Sequence, residues 1–289
     1  MLIAGLGLVV LVAVMLIVSS PVHRAFYLGI PEDRDAARRF EMPPLPALAR
    51  QVKMAAAIVV PVSVKRRVLE PGSDGNIVVP VTDEMPPRLP ATGVPSGWDV
   101  KEFTGRADVE LVKGDHGPAI RLRSVATSFA LFRDVVVDVE QTPILSWSWK
   151  AVKLPARGDV RHSTTDDQAV QLYVVFPRWP APRTTSEVIG YVWDTTAAAG
   201  TTVTSSKASN VKIVVVESGP ARVGSWLRYQ RNLYDDYVAL FNTKPPRAGM
   251  IAVMTDANDT GSTAEALMGP VMFAPRTADA RKATTFMLR

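Results

Sequence analysis

Apolar residues dominate the first 22 positions of the chain, which contain no charged side chain. At a rise of about 1.5 Å per residue, a helix of this length nearly spans the hydrocarbon core of a bilayer. The stretch lacks the polar face of a helix in a soluble body, and it lacks the basic start and small-residue cleavage site of a signal peptide. We therefore predict an uncleaved transmembrane anchor over residues 1–22, held by membrane lipid.

The charges after this stretch leave two orientations open. Arg24, Arg34, Arg38 and Arg39 follow the anchor and favour a cytoplasmic C-terminal side. A body of this length, however, is translocated largely without regard to its own charges. We expect a single-pass inner-membrane protein whose body lies in the periplasm.

Proline clusters divide the rest of the chain. One cluster lies at residues 42–46 and a second at 85–90, and both interrupt regular structure. We interpret residues 23–87 as a linker with short helical and strand segments, residues 88–276 as the folded body, and residues 277–289 as a tail.

Short runs of alternating apolar and polar residues fill the body. The clearest is 170–176, which places Val170, Leu172, Val174 and Phe176 on one face and Gln171 and Tyr173 on the other. Only residues 234–241 are typical of a helix. The pattern predicts an all-β protein, an antiparallel β-sandwich. The predicted strands are 63–69 and 76–81 in the linker, and 108–112, 119–123, 129–139, 144–152, 170–176, 188–193, 211–217, 225–231 and 248–254 in the body.

Composition excludes several classes of function. Cysteine is absent, so disulfides, thiolate nucleophiles and cysteine-ligated metals are excluded. The net charge of +5 is spread along the chain, and the basic run Lys65–Arg67 has no aromatic residues interleaved, so we expect no nucleic-acid partner. The three histidines are far apart in sequence, and no pattern places one in a catalytic triad or a zinc site.

A series of landmarks in the body resembles a known family. They are, in order, Pro95–Trp98, Phe103–Gly105, Leu145–Lys150, Asp166–Ala169, Tyr173–Phe176, Tyr191–Trp193, Val216–Gly219, Arg231–Tyr237 and Met254–Gly261. Together they resemble the bacterial domain-of-unknown-function family 3047, from about residue 88 to about residue 275. The resemblance implies a jelly-roll sandwich of the carbohydrate-binding type and carries no assigned activity.

Two pairs of aromatic residues are candidates for ligand binding. Trp147 and Trp149 are two positions apart on a predicted strand and therefore share a face, and Tyr191 and Trp193 repeat this spacing. Aromatic rings on one face of a sandwich can stack on sugar rings. The alternative is that all four pack in the core between the sheets.

Two acidic runs flank predicted strands. Asp166 and Asp167 precede one strand, and Asp256, Asn258 and Asp259 follow another. Oxygen ligands in such loops can bind Ca²⁺, the one cofactor that we consider, although the run is not an EF-hand loop. The alternative is that these residues hydrogen-bond their own backbone in turns. A bond from Asp167 to Arg231 or to backbone amides is a further alternative.

A dense polar stretch around Arg231 and Asp236 completes the candidates. It either lines a groove for a polyhydroxylated ligand or forms a salt-bridged corner between a strand and the helix. Because antiparallel pairing brings distant residues together, we expect Asp167, Tyr191, Trp193, Arg231 and Asp236 to approach one another.

Three functions fit these observations. The first is a membrane-anchored, noncatalytic β-sandwich that binds a glycan or another component of the cell envelope, such as an envelope protein. The second is a glycan-active hydrolase or lyase that uses two of Asp167, Glu217, Asp236 and Asp256, since glycosidases need two carboxyl groups at a defined separation. The third is an accessory subunit of a membrane complex.

Overall fold

The structure, a computed structural model, describes residues 69–178 and 186–276. The predicted anchor, the first part of the predicted linker and the predicted tail lie outside the described residues. Within the described ranges no helix is long and apolar enough to cross a membrane. The elements are β1 (Ile77–Val79), β2 (Ala91–Thr92), β3 (Asp99–Thr104), β4 (Asp108–Gly114), β5 (Gly117–Val125), β6 (Ser128–Val137), β7 (Ile144–Lys153), β8 (Val170–Phe176), β9 (Glu187–Asp194), β10 (Thr202–Thr204), β11 (Val211–Ser218), β12 (Leu227–Asn232), α1 (Leu233–Phe241), β13 (Ala248–Asp256) and β14 (Thr263–Ala274).

The strands form two sheets, which confirms the predicted all-β sandwich. The first sheet has the order β12-β7-β14-β5-β4-β2, and β1 also pairs with β14. The second sheet has the order β10-β11-β9-β8-β13-β6-β3. The pairing is antiparallel except between β9 and β11, which run parallel.

The second sheet is buried on both faces along its central strands β6, β8, β9 and β13. In β8, Leu172 and Val174 point into the core between the sheets, as the alternation predicts. Tyr173 and Val175 point the other way and are buried as well, in a second apolar cluster. Phe103 and the loop residues Val160 and Ala208 pack against this outer face. Polar side chains on this face are consequently enclosed.

Strand β14 is central to the first sheet, although no strand was predicted at 263–274. It pairs with β7 along one side and with β5 and β1 along the other. Its register shifts between Met268 and Val271, where Gly269 and Pro270 lie. Proline cannot donate a hydrogen bond to a strand ladder, but it is tolerated at such a bulge. Because the Gly-Pro pair interrupts the strand pattern, the sequence does not predict β14. The short or edge strands β2, β3 and β10 were also not predicted.

Helix α1 agrees with the prediction and begins directly after β12. The side chain of Asn232 caps it by accepting a hydrogen bond from the Asp235 backbone amide, and Asp235 and Asp236 lie in the first turn. Asn242 ends the helix in a left-handed conformation with φ of 53°. The cap fixes the direction of α1, which brings Asp236 back towards the second sheet.

Candidate functional site

A cavity of about 50 Å³ lies on the outer face of the second sheet. One wall is apolar, with side chains from β3, β11 and β13 and from the turn before β11. The lining also carries amide, hydroxyl, ammonium and carboxyl groups. The lining residues are Phe103, Asp166, Gln168, Gln171, Tyr173, Ser205, Lys207, Ala208, Val211, Ile213, Met254 and Asp256.

Strand register explains why these residues meet. Gln171 on β8 is paired with Met254 on β13, and both point outward. Asp256 lies two positions beyond Met254 and therefore shares its face. Asp166 lies just before β8, and Lys207 lies in the turn between β10 and β11.

Gln171 is the most informative side chain of the cavity. It is 1% exposed, and its Oε1 accepts a hydrogen bond from the Tyr173 hydroxyl. Its Nε2 has no hydrogen-bond partner among the described residues. A buried donor without a partner costs about 1–3 kcal/mol. The two N–H donors of this amide are therefore available to an acceptor in the cavity.

Asp166 supplies an acceptor to the cavity. Its Oδ1 accepts a hydrogen bond from Gln168 Nε2 at 3.2 Å, and its Oδ2 lies 3.8 Å from Lys207 Nζ. Burial raises the pKa of Asp166 to about 6, against the opposing charge of Lys207. The carboxyl group is consequently ionised at neutral pH and can accept further hydrogen bonds.

Asp167 and Asp256 form a buried carboxyl pair beside the cavity. Asp167 accepts hydrogen bonds from the backbone amides of Asp259 (3.1 Å) and Thr260 (2.6 Å) and from Thr260 Oγ1 (2.6 Å). Burial, and then the charge of Asp167, raise the pKa of Asp256 to about 8. The shift favours the protonated form of Asp256, which can donate a hydrogen bond.

The predicted calcium ligands are engaged in other interactions. Asn258 Nδ2 donates to Asp259 Oδ1 at 2.8 Å, and Lys207 Nζ donates to Asp259 Oδ2 at 2.8 Å. The Asn258 backbone amide lies 3.3 Å from Asp256 Oδ1. No group of three acidic or histidine side chains in the described ranges could hold a metal ion. The carboxyl oxygens of Asp256 and Asp259 accept from an ammonium group and amides, which fits the turn interpretation, whereas Asn258 Oδ1 has no hydrogen-bond partner among the described residues.

The aromatic candidates lie in the core rather than in a groove. Trp147 is 2% exposed, and Trp149, Tyr191 and Trp193 are 0% exposed. The ring of Trp147 lies 5.5 Å from that of Trp149, 5.1 Å from that of Tyr191 and 5.5 Å from that of Tyr229. Their shared face is the face between the sheets. These four side chains consequently cannot stack on a sugar at the surface.

Three of the five residues that we expected to cluster form a hydrogen-bonded group. Tyr191 Oη donates to Asp236 Oδ2 at 2.7 Å, and Arg231 Nε donates to the same oxygen at 2.8 Å. Trp193 is buried nearby on β9, with its Nε1 bonded to the Gly219 carbonyl at 3.1 Å. Asp167 contributes no hydrogen bond to this group in the part of the chain that the structure describes, because its oxygens face Asp259 and Thr260.

The same tyrosine–carboxylate–arginine arrangement occurs twice more. In each case a carboxylate accepts a bond from a tyrosine hydroxyl and pairs with an arginine, and the group connects the second sheet to β12 or α1. The groups are Tyr229–Glu217–Arg222 and Tyr237–Glu187–Arg178. This recurrence favours the salt-bridged corner over the ligand groove for Arg231 and Asp236.

The four carboxylates considered for hydrolysis thus lie in different settings. Glu217 and Asp236 belong to the tyrosine–arginine groups. Asp167 and Asp256 lie within reach of each other's charge, whereas glycosidases hold two carboxyl groups at a defined separation around the glycosidic bond. Glu217 and Asp236 give the hydrolase hypothesis no support, because their carboxylates are paired with arginines.

Several residues of the cavity were not among the sequence-predicted site residues. Gln171 and Tyr173 carried one usable signal, since their alternation with four apolar residues put both on the second face of β8. Phe103 and Lys207 carried no such signal. Phe103 lies on β3, which was not predicted, and the turn that holds Lys207 depends on the pairing of β10 with β11, where β10 was not predicted.

The core placement of the tryptophans leads to a stability prediction. Replacing Trp149 with alanine should lower the free energy of unfolding by about 3–5 kcal/mol, as expected for truncation of a fully buried aromatic residue. Urea unfolding followed by circular dichroism measures this loss. Trp226→Ala, at a partly exposed tryptophan, is a matched control and should lower the free energy of unfolding by less. An unchanged unfolding midpoint for Trp149→Ala would contradict the core assignment.

Several solved structures share a distant likeness with the chain. It is 11% identical to the family 11 xylanase from Neocallimastix patriciarum, with a TM-score of 0.32 over 68% of this chain and 95% of that one. It is 9% identical to the family 30 carbohydrate-binding module of a cellulosomal cellulase from Clostridium thermocellum, with a TM-score of 0.34 over 64% of this chain and 90% of the module.

Larger proteins are matched over a part of their length. The chain is 11% identical to the glycoside hydrolase domain of Endo-D from Streptococcus pneumoniae R6, with a TM-score of 0.31, and it covers 21% of that structure with 61% of its own length. Likeness at this level assigns no ligand or activity to this chain. No curated protein matches the chain.

The family model gives a stronger result than the solved structures. The model of DUF3047, described as a protein of unknown function, matches residues 96–272. This range is more than half of the chain and includes β3 to β13 and most of β14. The resemblance predicted from the sequence landmarks is confirmed, and the chain belongs to the DUF3047 family.

Proposed function

We propose that the protein is a noncatalytic β-sandwich that binds a saccharide of the cell envelope, and that the cavity on the outer face of the second sheet is its site. The observation that carries this proposal is the unpaired Gln171 amide in a cavity that also holds an ionised acceptor, Asp166. A sugar hydroxyl accepts one hydrogen bond and donates another, so it satisfies both groups at once.

The walls of the cavity also suit a saccharide. Phe103 and Met254 offer apolar surface to the C–H groups of a sugar, and Gln171, Ser205 and Asp166 offer polar groups to its hydroxyls. Ligand sites commonly combine a mostly apolar lining with a few placed polar groups. This site differs from the predicted aromatic groove, because its polar groups carry the recognition.

The binding test compares one cavity variant with one surface variant. The full-length protein, kept in a zwitterionic detergent that contains no sugar, is applied to an array of bacterial surface glycans. Gln171→Met keeps the side-chain length and removes both N–H donors, so we expect binding to weaken about tenfold or more. Gln230→Met changes an exposed glutamine on β12 and should bind as the wild type does. Equal binding by both variants would place the ligand elsewhere.

The membrane attachment is a second part of the proposal. We propose that residues 1–22 hold the sandwich at the inner membrane with the body in the periplasm, because the stretch is free of charge and has no cleavage site. A phosphatase fused after Arg289 should be active, and the mature protein should begin near Met1. An inactive phosphatase fusion together with an active cytoplasmic reporter at the same position would reverse the orientation.

A further inference from the structure

We propose that the part of the ligand that enters the cavity is a neutral hydroxymethyl group, the exocyclic primary alcohol of a hexose. This inference rests on the proposed saccharide binding and adds which class of sugar is bound. It predicts that hexoses are distinguished from sugars that lack the hydroxyl at carbon 6. The argument combines the size of the cavity, the chemistry of its walls and its charges.

The size of the cavity sets an upper limit on what enters it. It measures about 50 Å³, whereas a cavity of about 150 Å³ accommodates benzene, a ring of six heavy atoms. The cavity therefore admits a group of two or three heavy atoms. A whole pyranose ring must remain at the mouth, and a substituent that projects from the ring fits inside.

The lining supplies partners for both heavy atoms of a hydroxymethyl group. Val211, Ile213 and Met254 form an apolar wall that suits a methylene carbon. Gln171 Nε2 is a donor without a partner, and Asp166 is an acceptor with remaining capacity. A primary alcohol accepts from the first and donates to the second. A methyl group of similar volume would leave the Gln171 donors unpaired.

The charged groups around the cavity favour a neutral substituent. A carboxylate would meet the charge of Asp166, with Asp167 and Asp259 close behind it. An ammonium group could pair with Asp166, but it has no lone pair to accept a hydrogen bond from Gln171 Nε2, which would stay unpaired. Lys207 is already paired with Asp259 at 2.8 Å, which offsets part of its positive charge. An alcohol avoids both conflicts.

The experiment uses pairs of sugars that differ only at carbon 6. Methyl glycosides of D-glucose, D-galactose and D-mannose are titrated into the full-length wild-type protein beside their 6-deoxy counterparts, and binding is followed by ligand-observed NMR. At least one hexoside should bind about tenfold or more tightly than its 6-deoxy counterpart. In Gln171→Met this preference should disappear, and in Gln230→Met it should persist.

The possible failures separate the two proposals. If a hexoside and its 6-deoxy counterpart bind equally and both weaken in Gln171→Met, the saccharide site stands and the hydroxymethyl inference falls. The same conclusion follows if only sugars without this group, or N-acetyl sugars through their acetamido group, bind in a Gln171-dependent way. If no saccharide binds the wild-type protein, both proposals fall, because the wild-type titration does not depend on how the variant folds.

Discussion

Removing residues 69–87 should prevent the remainder of the sandwich from folding stably. Ile77, Val79 and Val81 are buried in the core between the sheets. Burying each of these side chains contributes about 1.5–3 kcal/mol. Their combined loss is comparable with the total stability of a typical domain, about 5–15 kcal/mol. A fragment of residues 88–276 should therefore be unfolded or aggregated.

The position of β1 in the sheet adds to this effect. One side of β14 is covered by β5 over Thr263–Met268 and by β1 over Val271–Phe273. Without β1, the second half of this central strand becomes an unpaired edge, which invites aggregation. Arg133 is also buried, and it pairs with Asp83 at 2.6 Å. Loss of that partner leaves a buried charge, which costs several kcal/mol.

The test compares two fragments that differ only in these residues. Fragment 69–276 should show a single cooperative transition in urea, and fragment 88–276 should not. Size-exclusion chromatography reports aggregation of the shorter fragment. Equal unfolding midpoints for the two fragments would show that β1 is dispensable.

The sequence predicted the strands whose alternation is regular. The run 170–176 was predicted with the bounds that β8 has, since its apolar residues alternate without interruption. The strand β14 was not predicted, because Gly269 and Pro270 interrupt the pattern and the bulge that accommodates them depends on pairing with β7. Local patterns predict a strand, but they do not predict a bulge that another strand stabilises.

The candidate site could be predicted only in pieces. The sequence indicates the two acidic runs separately, and for Asp167 it leaves a ligand role and bonds with Arg231 or with backbone amides as alternatives. The structure joins it to the amides of Asp259 and Thr260. Which loops meet is decided by strand order, here β8 beside β13, and residue spacing carries no information on strand order. The outer face of the second sheet is covered by loops, and which loops cover it also depends on strand order. Its burial could therefore not be predicted from residue spacing.

Replacing Asp256 with asparagine should make the protein more stable at alkaline pH. The folded-state pKa of Asp256 is raised to about 8, whereas the carboxyl of an unfolded chain titrates near its ordinary value of 3.8. The folded state holds this proton more tightly than the unfolded chain does. The contribution of Asp256 to the free energy of unfolding is therefore fully present below about pH 4 and is lost as the pH rises to about 8. A shift of this size corresponds to a loss on the order of 5 kcal/mol.

The asparagine variant should remove this loss while it keeps the shape of the protonated carboxyl group. The pKa of Asp166 is raised to about 6, so the free energy of unfolding also falls with pH between about pH 4 and 6 because of this residue. This fall remains in the Asp256→Asn variant. Since the contribution of Asp166 is common to both proteins, the free energies of unfolding of wild type and variant should diverge steadily between about pH 4 and pH 8. Urea unfolding at pH 5, 7 and 9 measures the divergence.

Asp115→Asn, at a surface carboxylate that is 64% exposed, is the matched control and should run parallel to the wild type. Parallel curves for the wild type and Asp256→Asn from pH 6 to pH 8 would mean that Asp256 is ionised at neutral pH. Asp256 would then present an acceptor to the cavity instead of a donor. The same titration therefore tests both the stability of the carboxyl pair and the hydrogen-bonding character of the proposed saccharide site.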